Sequence, residues 1–168
     1  IQAFSINRER LICQCICDHQ RDQFFRESYT VSAESDRMGI RLNGAPVESL
    51  HGTDIVSDGI AFGSIQITKS GMPIVMMADH QTTGGYAKIG TVCSFDLPKL
   101  AQLRPEDRVK FCRISVEEAQ YLYLHPEERR RSKPLALTAR TGGSSGTGER
   151  RRYKFQKYNY YYRHGGVR

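Results

Sequence analysis

The sequence predicts a mostly β chain, an antiparallel barrel or sandwich, with one or two short helices. Three observations carry that prediction. Short apolar or alternating runs recur along the chain. Gly- and Pro-bearing turns separate them. No long amphipathic helix alternates with them, which argues against a doubly wound parallel sheet.

Taken in order, Leu11 to Cys17 is apolar and suits a strand, and Arg21 to Ser28 suits a short helix with Phe24 and Phe25 on one side. Tyr29 to Ser32 and Arg37 to Leu42 read as strands, the second ended by Asn43-Gly44-Ala45-Pro46. Ser57-Asp58-Gly59 and Gly63 punctuate a loop. In Ser64 to Thr68, Ile65 and Ile67 alternate with polar residues, the pattern of a half-buried strand. Ser70-Gly71 turns the chain into Pro73 to Asp79, whose Ile74-Val75-Met76-Met77 run suits a central strand hairpinned to the previous one. Gly84-Gly85 breaks the chain, and Ile89 to Phe95 restores strand character. Leu97 to Leu103 offers one or two helical turns, Pro105-Glu106-Asp107 a turn and Arg108 to Ile114 a strand. Ser115 then caps a helix with Glu118 at its third position, running through Ala119 and Leu122. The expected count is six or seven strands and two small helices.

Of 168 residues, 39% are hydrophobic, and the longest apolar run, Ile74 to Ala78, falls far short of the roughly 20 residues a membrane span needs. No basic-then-apolar leader opens the chain, which begins with Ile1, so a cytoplasmic protein whose start is missing is expected. The net charge of +7 is uneven. From Glu127 to Arg168, 12 Lys and Arg face 3 Asp and Glu, a net of +9, leaving −2 upstream. Six aromatics sit between Tyr153 and Tyr162. Residues 126–168 are therefore expected to be a disordered basic tail, 29–125 the folded domain and 1–28 a separate leading segment. Tyr stacking and Arg or Lys phosphate contacts in the tail could hold single-stranded nucleic acid, but a solvated tail explains the same residues, so nucleic acid is not the expected partner.

Five cysteines without an export signal argue for reduced thiols. Cys13, Cys15, Cys17 and His19 would share one face of a strand, but alternate residues spread roughly 6.6 Å apart, unlike the curl of a zinc knuckle. They read as small buried strand residues, with no metal expected.

Polar residues concentrate in three segments. Alternation in Ser35-Asp36-Arg37-Met38-Gly39-Ile40-Arg41 sets Arg37 and Arg41 astride Gly39, a notch in which a carboxylate or phosphate could accept forked hydrogen bonds. An ion pair from Asp36 to an Arg is the structural alternative. Ser57 to Gln66 has glycines that permit close backbone approach to a ligand, or simply turns. Asp79-His80-Gln81-Thr82-Thr83-Gly84-Gly85-Tyr86 gathers a carboxylate, an imidazole, an amide, hydroxyls and a phenol after an apolar strand, with a glycine pair able to form an anion nest. Asp79, His80 and Gln81 are the candidate catalytic residues, His80 as proton carrier. Arg37, Met38, Gly39, Arg41, Gln66, Thr82, Thr83, Gly84, Gly85 and Tyr86 are the candidate substrate-binding set. A hydrogen-bonded barrel-closing loop is the structural alternative. No nucleophile elbow, Walker A loop or biotin attachment site is present.

Ser32 to Gly44, Ser57 to Gln66, Ala78 to Tyr86 with Lys88 to Val92, and Asp96 to Pro105 resemble the biotin-dependent carboxyltransferase domain family. That family includes the second subunit of allophanate hydrolase, the C subunit of 5-oxoprolinase and the carboxyltransferase part of urea carboxylase. The resemblance runs from about Tyr29 to Gln120, with Ala87 where members carry Pro. It implies a cyclophilin-like β-barrel, and the match is to the C-terminal half of the family's proteins, which carry a further domain of similar size before it. It also implies a role with A-like and B-like partner proteins of the same complex in ATP-dependent opening of 5-oxoproline or a related amide or carboxylate, the ATP site not being located here. The alternative it implies is a non-catalytic regulatory module that binds the B-like partner.

Overall fold

The chain divides into a unit spanning Ile1–Thr138 and a second, Ala139–Arg168. The computed structural model describes residues 1–5, 16–49 and 52–131, all within the first unit.

Ser70-Gly71 closes the expected hairpin: Gly71 takes a φ of 79°, which glycine adopts without steric cost, and its N–H donates to the Thr68 carbonyl at 2.9 Å. This joins β5 (Ser64–Ile67) to β6 (Pro73–Met76) antiparallel, with Ile65 opposite Val75 and Gln66 opposite Ile74. On the far side of β6 lies β3 (Gly39–Asn43), hairpinned to β2 (Tyr29–Val31). On the far side of β5 lies β8 (Lys88–Val92), then β1 (Gln2–Ser5). The edges are β9 (Arg108–Val109) against β2 and β10 (Cys112–Ile114), which runs parallel to β1. The order is β10-β1-β8-β5-β6-β3-β2-β9.

The two edge strands are consecutive along the chain, separated only by Lys110 and Phe111. Three residue steps span at most about 11 Å, so the sheet must curl until its edges nearly meet. The chain is thus mostly β, a curled and predominantly antiparallel sheet, with β1 and β10 as the parallel exception to the expected pattern.

Alternation fills the inside of the curl. Ile40, Val75 and Ile65 form one cross-strand row pointing into the core, flanked by Leu42, Ile67 and Ile89. Helix α1 (Asp18–Arg26) inserts Phe24 there, its ring centroid 5.0 Å from that of Phe111 and 5.3 Å from that of Tyr29. α1 starts earlier than expected, with Cys17 as its N-cap and His19 in its first turn, so Cys17 and His19 do not share a strand face. Most of the strand expected over Leu11 to Cys17 lies outside the described residues.

The fold departs from expectation in four further ways. β4 (Asp54–Gly59) and β7 (Thr83–Tyr86), read from the sequence as loops, pair antiparallel as a two-stranded ribbon. The Arg108 to Ile114 strand splits in two where the chain crosses from one edge to the other. Pro73 to Asp79 ends as a strand at Met76, because Met77 to Asp79 turn. Beyond α2 (Leu97–Leu100) and α3 (Val116–Leu124), Pro126–Arg131 forms a short helix, α4, where disorder was expected. Ser115 caps α3 as expected, its hydroxyl accepting from the Glu118 N–H at 3.1 Å. The remainder of the basic tail lies outside the described residues.

Candidate functional site

Side chains directly opposite across a sheet point to the same face. Arg41, Ile74 and Gln66 therefore form one row through β3, β6 and β5, on the face opposite the core. Gly39 and Met76 form the adjacent row, and Thr68 extends the Gln66 side. The glycine is dictated by packing: a Cβ at Gly39 would lie 2.8 Å from Ile74 Cγ2.

The ribbon roofs this face. Between ribbon and sheet lies a partly open cavity of about 360 Å³, to which the sheet contributes Gly39, Arg41, Gln66, Thr68, Ile74 and Met76. The ribbon side contributes Gln81, Thr83, Gly84, Gly85 and Tyr86, and the turn before β3 contributes Asp36 and Met38. The chain passes from roof to sheet through buried Ala87, whose N–H donates to the Thr53 carbonyl and whose carbonyl accepts from the Ile67 N–H. Covered on both faces, β5 is buried along its whole length rather than half-buried.

Lys88, the next residue, lies opposite Gln66 with its side chain 4% exposed. Its ammonium reaches Asp58 Oδ2 and the Gly59 carbonyl, both at 2.7 Å, and so fastens the ribbon to the sheet. The hydrogen bond from Lys88, with help from the Gly59 backbone, holds the Asp58 carboxyl below the usual carboxylate range. The amide nitrogen of Gln66, in contrast, is buried without an acceptor.

Nine expected residues line the cavity together: Met38, Gly39, Arg41, Gln66, Gln81, Thr83, Gly84, Gly85 and Tyr86. Arg37, Asp79, His80 and Thr82 are placed elsewhere. Arg37 grips Asp79 in a fork, Nε to Oδ2 at 2.9 Å and Nη2 to Oδ1 at 3.2 Å, so the two arginines do not form a notch around Gly39. Among the described residues the alternative of an Asp36 ion pair is not realised either; Asp36 Oδ1 accepts from the Met38 and Gly39 N–H groups at 2.9 and 3.0 Å. His80 directs Nδ1 at the Met77 carbonyl and Nε2 at the Ile60 carbonyl, 3.2 Å away, leaving neither nitrogen free to carry a proton for a ligand. Gly84 and Gly85 do not take the positive φ of an anion nest but lie in β7, with Gly84 opposite Asp58. In the Ser57 to Gln66 segment only Gly63 has a positive φ, and it serves a turn.

The residues missed are Asp36, Thr68, Ile74, Met76 and the Lys88–Asp58 clasp. Period-two spacing from Gln66 points to Thr68. A lysine between Ala87 and Ile89, 0% and 1% exposed, signals a buried cation only once those neighbours are known to be core. Among the described residues, no group of three or more His, Cys, Asp or Glu could hold a metal ion, and no helix is long and apolar enough to cross a membrane.

Comparison with known proteins converges on one family. The family described as carboxyltransferase domain, subdomain A and B, matches residues 11–113, beginning upstream of the stretch that carried the resemblance. The C subunit of Haemophilus influenzae 5-oxoprolinase is 44% identical over 99 residues, and its Escherichia coli counterpart 37% over 99, each covering 59% of this chain and 32% of the relative. The chain thus spans about a third of the length of these curated relatives. Among solved structures, Kluyveromyces lactis urea carboxylase superposes with a TM-score of 0.67 at 22% identity, over 76% of this chain and 12% of the other, which speaks for the fold.

Proposed function

The chain belongs to the carboxyltransferase domain family, subdomains A and B, and from that premise we propose that it supplies a small-molecule pocket to an amide hydrolase built from several different proteins. The reaction in this reading is ATP-dependent opening of 5-oxoproline or a related amide in the cytoplasm, with A-like and B-like partner proteins. The observation that carries it is the cavity itself: a polar face of the sheet, roofed by the ribbon, built from segments within the family match.

In this reading Arg41 holds the anionic end of the substrate. The Gln81 amide and Thr83 hydroxyl donate to charge that develops on the reacting oxygen, an effect worth about 10²- to 10³-fold per donor in comparable sites. Among the described residues, α1 and α3 begin with Asp18 and with Glu117 and Glu118, which repel a phosphate from the helix ends that otherwise attract one, so this reading places no nucleotide at either helix. Asp79 and His80 act structurally, tying the turn after β6 to Arg37 and to the Ile60 loop.

The test is reconstitution of the full chain with homologues of the A and B proteins of 5-oxoprolinase, followed by ATP hydrolysis with and without 5-oxoproline. Substrate-dependent hydrolysis that requires this chain supports the reading. Assembly without turnover replaces it with the regulatory-module alternative, and no assembly overturns both.

A further inference from the structure

Gln66 is 4% exposed, stands at the β5 end of the cavity's cross-strand row, and presents a buried amide nitrogen with no acceptor. Native interiors rarely leave such a donor unpaired. Directly opposite, the charge of Lys88 is balanced by Asp58, so the deep end of the cavity offers a neutral donor and no spare cation. Two strands away on the same row, Arg41 is exposed, and its guanidinium makes no ion pair among the described residues. Strands stand about 4.8 Å apart, which puts the Gln66 and Arg41 backbones about 10 Å from each other with both side chains on one face.

We propose that Gln66 is the specificity-determining residue of this pocket, donating to the neutral amide carbonyl of a small ligand whose carboxylate is held by Arg41. This rests on reading the cavity as a small-amide site, and it adds the atom that recognises the amide. A neutral donor in a charge-balanced setting suits a carbonyl oxygen, while a carboxylate placed there would lose hydration without gaining a counter-ion. The amide nitrogen lies beneath Gly84, where even a Cβ would come within 3.0 Å of it. The ligand carbonyl therefore reaches it as the ribbon lifts, with the Lys88–Asp58 clasp acting as the restraint on that movement.

The experiment is calorimetric titration of the full chain with three probes: 5-oxoproline, proline, which lacks the ring carbonyl, and 2-pyrrolidinone, which lacks the carboxylate. Expected is 5-oxoproline binding at least tenfold tighter than either analogue. Gln66→Met should lower 5-oxoproline affinity to the proline level and leave proline unchanged. Arg41→Gln, at an exposed position tolerant of change, should lower it to the 2-pyrrolidinone level and leave 2-pyrrolidinone unchanged. Equal affinity for proline and 5-oxoproline, retention of 5-oxoproline affinity within twofold in Gln66→Met, or binding of no probe overturns the inference. The readout is binding to the chain alone, so it fails independently of the hydrolysis test: a complex that turns over 5-oxoproline equally well with Gln66→Met sinks the role of Gln66 and leaves the hydrolase reading intact.

Discussion

Replacing Gly84 by Ala separates occupancy of the cavity from stability of the fold. A Cβ at position 84 would lie 2.7 Å from Ile60 Cδ1 and 3.0 Å from Gln66 Nε2. The first distance is about 1 Å inside ordinary carbon–carbon contact. The atoms met are both ends of side chains rather than backbone, and Gly84 does not have a positive φ, so relaxation is cheap. Overpacking then costs about 1 kcal/mol, the low end of its range. Loss of glycine's freedom in the unfolded chain returns about 0.4–1 kcal/mol, leaving a net destabilisation of about 0.6 kcal/mol or less. The same methyl takes up the space between position 84 and the Gln66 amide that a ligand carbonyl must enter, so 5-oxoproline affinity should fall at least tenfold. Urea denaturation monitored by circular dichroism reads the first quantity and calorimetric titration the second. Full affinity in a stable Gly84→Ala chain would refute the claim that the ligand meets Gln66 beneath this residue.

The remaining expectations concern groups outside the cavity. Arg37 and Asp79 are 83% and 51% exposed, so Arg37→Ala should cost about 0–1 kcal/mol in a denaturant titration and leave 5-oxoproline affinity within twofold. A tenfold loss would return Arg37 to the site. Burial raises the Cys93 thiol to about 12, with the nearby Asp96 charge adding to it, and likewise raises the Tyr29 phenol to about 12, with Glu27 contributing. In the unfolded chain these groups ionise near 9 and 10, so the stability their neutral forms contribute is intact below pH 9 and lost as pH rises from there toward 12. Urea midpoints measured across that window should fall, and Tyr29→Phe should flatten only the part above about pH 10.

Local chemistry that acts within a few residues was readable from sequence. Ser115 three residues before Glu118 implied a cap and made one. Ser70-Gly71 between two apolar runs implied a hairpin, and the two strands pair antiparallel. What escaped was decided by partners distant along the chain. β4 is exposed or half-exposed at every position and has no alternation to read; it is a strand because β7 pairs with it. Thr83-Gly84-Gly85-Tyr86 resembles a break for the same reason, since it borrows its extended form from β4. His80 looked like a proton carrier because its type and loop were visible, whereas the two carbonyls that occupy its nitrogens come from Met77 and from Ile60, 20 residues away. More of the candidate binding residues than of the candidate catalytic ones line the cavity, because alternation alone places Gly39, Arg41 and Gln66 on one face of their strands, and β3 and β5 both adjoin β6.

The same alternation explains why polar groups became buried. Ser64, Gln66 and Thr68 face away from the core, and in an uncovered sheet they would be solvated. Once the ribbon lies over them, each must find a partner or carry a penalty of about 1–3 kcal/mol for an unpaired donor. Lys88 meets that demand with Asp58 and Gly59, converting its burial into the attachment of the roof. Gln66, its cross-strand neighbour, does not. A hydrocarbon side chain of similar length would fill the position without that penalty. Two polar residues side by side under one roof, one satisfied by the protein and one not, distinguish the part of the structure that holds the cavity together from the part left for what enters it.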